Sequence, residues 1–263
     1  MTNQIERPDA PRVPDVHNGT IMPTDVRCLV ELDDASALAT VTGVLDPVGV
    51  GSVRDALLTR LWERPGPVIA DLSGLRVPDP TDRSVFDEVH RVAGDWPAAG
   101  LLVVDPAGGW PGASTPVCAS LDEARAAVAT PPAAMLGGEL LPAVEAAREA
   151  RALVTDACLR WGMPELAESA CIAVTEMVNN VVAHARTPMT VRVAPGDHCL
   201  HLAVRDHSRR HPAFAGVAPV NSAGGRGLLL IDTVARRWGS TPLPDGKVVW
   251  CVLHTEDEDG CPR

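Results

Sequence analysis

Tyrosine is absent from this chain and phenylalanine occurs only twice. Aromatic residues fill 3% of 263 positions, so the cores must be built from Ala, Val and Leu. No apolar run approaches the ~20 residues that span a bilayer. The segment from Met1 to Val16 is polar and proline-containing and lacks the apolar centre of a secretory signal. These absences predict a cytoplasmic protein with no membrane contact. The seven cysteines are odd in number and show no Cys-x-x-Cys spacing. That argues against a zinc site and a disulfide framework, and leaves free thiols in a reducing compartment. A basic patch is also missing. The formal charge is −11, with about −9 in residues 1–130 and about −2 in residues 131–263. Direct nucleic-acid binding, which needs a basic footprint, is not expected.

What is present is enough apolar residue, 46%, for two modest domains. In Glu176-Met177-Val178-Asn179-Asn180-Val181-Val182-Ala183-His184, the side chains of Glu176, Asn180 and His184 recur every four residues. On an α-helix they share one face, polar within an Ala, Val, Ile and Met background. Such a stripe needs a partner. An Asn amide oxygen suits Mg²⁺, and a Glu one turn earlier can position or deprotonate a hydroxyl. The alternative is a purely structural polar network. Residues 198–206 read as a strand ending on Asp206, whose carboxylate could accept a hydrogen bond from an exocyclic amine such as that of adenine. Gly224-Gly225-Arg226-Gly227-Leu228 then opens an apolar helix running toward Ala235, an arrangement in which backbone N–H groups can approach phosphate. Asp245-Gly246 is a turn before a strand from Val248 to Leu253. His207, Arg209, Arg210 and His211 form a basic run, either a solvated loop or a set of phosphate-neutralising cations.

Glu176, Asn180, Asp206 and the Gly224–Leu228 loop, in that order, resemble the nucleotide-binding boxes of the GHKL ATPase superfamily, in particular its anti-sigma-factor serine kinase branch. The resemblance covers about residues 131–255. It implies a sandwich of a mixed, mostly antiparallel sheet with helices on one face. It further implies that Asn180 coordinates Mg²⁺, Glu176 acts as catalytic base, Asp206 reads the adenine amine of ATP, and Gly224, Gly225, Arg226, Gly227 and Leu228 bind the nucleotide around its phosphates. Two departures stand out. The glycines that often follow the family's acid are replaced by His207-Ser208-Arg209-Arg210, and the Thr often found on the last strand is missing from Val248-Val249.

The first half alternates strands with helices. Strands are expected at Cys28–Val30, Leu38–Leu45, Pro67–Leu72 and Gly100–Val104, with helices at Val50–Glu63, Ser84–Ala93 and Leu121–Ala129. Thr42-Gly43-Val44-Leu45-Asp46, Asp71-Leu72-Ser73-Gly74-Leu75 and Asp79-Pro80-Thr81-Asp82 resemble the STAS module, over about residues 26–129. The resemblance makes Thr81 a possible phospho-site, with Pro80 and Asp82 replacing the usual neighbours. Without the family, the same residues are a helix start capped by Asp79 or Thr81. Pro131-Pro132 marks the junction, and an Ala-rich helix is expected from Leu141 to Trp161, with Gly162 and Pro164 before the next helix.

The sequence thus predicts an α/β (α+β) protein with four parts: a disordered arm (1–25), a degenerate STAS-like α/β layer (26–129), a GHKL-type ATP-binding sandwich (131–255) and an acidic tail (256–263). The function implied is that of an ATP- and Mg²⁺-binding anti-sigma-factor-type regulator with serine/threonine kinase activity toward an antagonist protein in a partner switch. The alternative is a non-catalytic nucleotide-binding scaffold that sequesters its partner. Partners would be a sigma factor, a STAS antagonist, or both, with a homodimer possible.

Overall fold

The computed structural model describes residues 28–33, 37–108, 110, 113–128, 134–210 and 226–255, except the side chains of 226–228. The first sheet is built from β1 (Cys28–Leu32), β2 (Leu38–Val44), β3 (Gly66–Arg76), β4 (Ala99–Val104) and β5 (Val117–Cys118), in that order. β1 and β2 are antiparallel; the other pairings are parallel and need crossovers. Helix α1 (Pro47–Glu63) connects β2 to β3, α2 (Ser84–Ala93) connects β3 to β4, and α3 (Leu121–Val128) follows β5.

α1 starts three residues before the expected Val50. Asp46 caps it, accepting hydrogen bonds from the Val48 and Gly49 backbone N–H at 3.1 and 2.9 Å, and Pro47 supplies a preset φ at the first helical position. Strand β3 extends to Arg76, well past the expected Leu72.

The second sheet has the order β6 (Leu136–Leu140), β7 (Met189–Gly196), β8 (Cys199–Asp206), β10 (Gly246–His254), β9 (Arg237–Leu243). Every pairing is antiparallel among the described residues, so the expected mixed sheet is antiparallel there. Three helices, α4 (Ala146–Arg160), α5 (Ala167–Asn180) and α6 (Arg226–Val234), cover one face.

The Ala-rich helix does not begin at Leu141 as its composition suggests. Leu136–Leu140 pairs with β7 as an edge strand, Pro142 follows, and Leu141 and Val144 are 71% and 88% exposed. The other helix end matches expectation: Gly162 adopts φ 68° just past α4, and Pro164 starts a 3₁₀ turn leading into α5.

The other face of the second sheet is covered by the first unit. Ala203, Leu243, Val248 and Trp250 belong to the same core as Leu57, Leu58, Trp62 and Trp96. α3 packs on the far side of the first sheet, through Ile69, Val104, Cys118 and Ala124. The layers therefore run α3, first sheet, α1 and α2, second sheet, α4 to α6. Polar contacts fix the central seam. The Arg192 guanidinium donates to the Trp62 carbonyl, an orphan acceptor in the last turn of α1, and lies 4.3 Å from the Trp62 ring centroid. Arg237 pairs with Asp95 at 3.0 Å, and His201 Nδ1 lies 3.3 Å from the Asp95 carbonyl.

All six described cysteines are free thiols. Burial pushes Cys158 up to about 11 and Cys251 up to about 12, so neither is a thiolate at neutral pH. No helix among the described residues is long and apolar enough to cross a membrane.

Candidate functional site

Helix α5 buries Ala170, Ala173, Val174, Met177 and Val178 against the sheet. Glu176 and Asn180 stand one turn apart on the flank of that stripe, each half-buried. Neither side chain has a hydrogen-bond or ion-pair partner among the described residues. Both polar groups are therefore open to water or to a ligand. Beyond Asn180 the helix widens into one π turn, Val181–Ala185, and closes at Arg186, whose φ of 55° is left-handed and whose N–H donates to the Val181 carbonyl at 2.7 Å. Single π turns recur at functional sites. His184 lies on this turn and is exposed, so only Glu176 and Asn180 of the expected trio share a sheltered position.

Asp206 ends β8 on the helix-covered face and is 2% exposed. Lys247 of β10 pairs directly opposite it in register. Its Nζ donates to Asp206 Oδ1 at 2.9 Å and lies 2.8 Å from Oδ2; it also donates to the Ser208 carbonyl at 3.2 Å. The Ser208 N–H donates to Asp206 Oδ1 at 2.8 Å. In the sequence, Lys247 stands in the Gly246-Lys247-Val248-Val249-Trp250 run that closes the resemblance, and it is given no role there. A compositional signal was available: among 23 basic residues it is the sole lysine, beside 22 arginines. Its partner depends on sheet register, which composition does not encode.

Gly224 and Gly225 lie outside the described residues. Arg226, Gly227 and Leu228 form the first turn of α6, where a helix was expected, and α6 packs against α5. Of the basic run, His207 Nδ1 lies 3.6 Å from the Asp245 carboxylate, Arg209 and Arg210 are exposed, and His211 lies outside the described residues.

The profile of the histidine kinase-like ATPase domain matches residues 140–253, which span α4 to β10 and so contain Glu176, Asn180, Asp206 and Lys247. Residues 140–253 are a histidine kinase-like ATPase domain. An uncharacterized protein of Streptomyces coelicolor is 37% identical over 81 residues, covering 29% of this chain and 77% of that protein. Among solved structures, the RsbU and RsbW domains of a Mycobacterium tuberculosis protein align over 47% of this chain and 33% of theirs, at 19% identity and TM-score 0.36. This chain thus spans a third of that protein's solved length. An anti-sigma factor antagonist from Mycobacterium paratuberculosis aligns over 38% of this chain and 92% of its own, at 24% identity and TM-score 0.32.

An ATPase domain binds ATP, and the donor set bears on the metal that would accompany it. No group of three or more His, Cys, Asp or Glu side chains among the described residues could cage a metal. Mg²⁺ accompanying a nucleotide keeps most of its waters and takes its remaining ligands from phosphates and one or two protein oxygens. The unpaired Asn180 amide is such an oxygen.

Thr81, the residue resembling a phospho-site, is exposed in a 3₁₀ turn (Pro80–Arg83) before α2. Asp79 caps this turn: its carboxylate accepts from the Thr81 N–H at 2.9 Å and from the Thr81 hydroxyl at 2.7 Å. These bonds hold the Asp79 carboxyl below the usual range.

Proposed function

We propose that the chain is an ATP- and Mg²⁺-binding regulator of the anti-sigma-factor type, phosphorylating a serine or threonine of an antagonist protein in a partner switch. The observation carrying this reading is the pair Glu176 and Asn180, unpaired and one turn apart inside an ATPase domain. Asn180 would hold Mg²⁺, which screens phosphate charge when bound with the nucleotide. Glu176 would accept the proton of the attacking hydroxyl, and the start of α6, with Gly224 to Leu228, would face the phosphates. Positioning and charge neutralisation do most of the work in such a transfer.

The layer order supports an acceptor on another molecule. Thr81 belongs to the first unit, which packs on one face of the second sheet, whereas Glu176 lies on α5 against the other face. A phosphoryl group on Thr81 would also meet like charge at Asp82 and Asp79. The first unit, STAS-like by its motifs, is then a docked subdomain rather than a substrate in cis.

Phosphate transfer from γ-labelled ATP to STAS-type antagonist proteins tests this. Glu176→Gln keeps the shape, so the variant is expected to bind nucleotide and to transfer phosphate about 10²–10⁴-fold more slowly, with no label on Thr81. Normal transfer by Glu176→Gln would make Glu176 structural. A wild type that binds ATP yet labels no antagonist would favour the second reading, a nucleotide-sensing scaffold, for which the engagement of Asp206 by Lys247 is the specific support.

A further inference from the structure

The engagement of Asp206 has a chemical consequence that rests on the nucleotide reading. A bare carboxylate is an acceptor only. It welcomes the exocyclic amine of adenine and repels the carbonyl that guanine carries at the same position. Here the carboxylate is not bare. Oδ1 already receives Lys247 Nζ and the Ser208 N–H, and Oδ2 faces Nζ at 2.8 Å. Hydrogen bonds thus fill two of a carboxylate's roughly four acceptor sites, both on Oδ1, and Oδ2 has only its ion-pair contact with Nζ. Lys247 has three N–H donors and contacts the carboxylate and the Ser208 carbonyl, so about one donor remains beside that acceptor.

The lysine is a fixed part of this arrangement. Both partners are buried, at 2% and 7% exposure, and separating a buried ion pair leaves an uncompensated charge, so Lys247 stays when a ligand arrives. The chain's one lysine occurs at this position.

We infer that Lys247 sets the purine selectivity of the site, turning the amine-reading Asp206 into an adjacent acceptor and donor that takes adenine and guanine alike. Adenine offers its amine and a ring nitrogen acceptor to the pair; guanine offers its ring N–H and carbonyl.

The test is calorimetric titration of the full chain with Mg-ATP and Mg-GTP, for wild type, Lys247→Thr and Lys247→Arg. Wild type is expected to bind the two nucleotides within about threefold of each other, and Lys247→Arg, which keeps the cation, to stay near that ratio. Lys247→Thr is expected to prefer ATP by about tenfold or more, the factor one hydrogen bond to a charged group supplies. A wild type preferring ATP by more than tenfold, or a Lys247→Thr protein with the wild-type ratio, would overturn the inference while leaving the nucleotide reading intact. Absence of binding to any of the proteins would overturn both. Because the chain has one lysine, ¹⁵N-lysine labelling gives a single NMR reporter for residue 247. Its signal is expected to shift with either nucleotide, which serves even if Lys247→Thr fails to fold. A signal unmoved by nucleotides that bind would contradict the inference.

Discussion

Gly246 shows how tightly one position can be held by its surroundings. A Cβ there would lie 2.0 Å from the Asp206 carbonyl oxygen and 2.9 Å from the His207 Cα. The absence of a side chain lets β10 approach the end of β8 and brings Lys247 opposite Asp206. Gly246→Ala should therefore cost about 1–3 kcal/mol, as overpacking usually does, and lower the melting temperature by a few degrees, readable by calorimetry. Nucleotide affinity should fall with it, because the strands bearing the Asp206–Lys247 pair must shift. A turn before β10 is legible in the sequence, one residue displaced: the chain turns at Pro244-Asp245, and Gly246 already opens the strand. The need for glycine there comes from a neighbouring strand, and no local pattern announces it. Glu176 and Asn180 are legible for the opposite reason: their spacing is a property of the helix that carries them.

At the scale of elements, α1 explains where periodicity runs short. Its stripe of Val53, Leu57, Leu58 and Leu61 is the expected one and is buried, but Arg60 and Trp62 are buried as well. A helix apolar on one face reads clearly; one clamped between two sheets buries residues all round. Strand β9 hides for a different reason. It carries Gly239 and Pro242, which weaken a strand signal and are tolerated because, among the described residues, β9 pairs only with β10, at the sheet edge. β6 is short and contains two glycines, and the apolar Leu141 and Val144 beyond it mimic a helix start.

The seam between α1, α2 and the second sheet also carries a titratable group. Burial lowers the pKa of His201, with the Asp95 carbonyl and carboxylate opposing and Arg237 and His254 reinforcing the shift. A histidine whose folded pKa is depressed takes up its proton more readily in the unfolded chain, so stability is full above the unfolded value near 6.5 and declines as pH falls below it. Burial raises Asp95 in the folded state, which acts in the opposite direction but only around the carboxylate range. Melting temperature should therefore drop between about pH 7 and pH 5.5. His201→Gln should flatten that slope; an unchanged slope would show that His201 does not supply it.

At the scale of the whole molecule, two sheets share one helical layer, and the first unit covers the sheet face opposite the ATPase helices. The fold class and the sequence order of the site residues are legible in the chain. The docking of the units is not, because its shared apolar core and its pairings, such as Arg192 with Trp62 and Arg237 with Asp95, join residues far apart in sequence. The central claim is that the sheltered pair on α5 is a Mg-nucleotide site. Calorimetric titration of Mg-ATP into the full chain, wild type against Asn180→Ala, tests it most directly, since alanine preserves the helix. The expected result is binding by wild type and a loss of about tenfold or more in a variant that melts at the same temperature. Equal affinity in the two folded proteins, or no binding by wild type, would contradict the account.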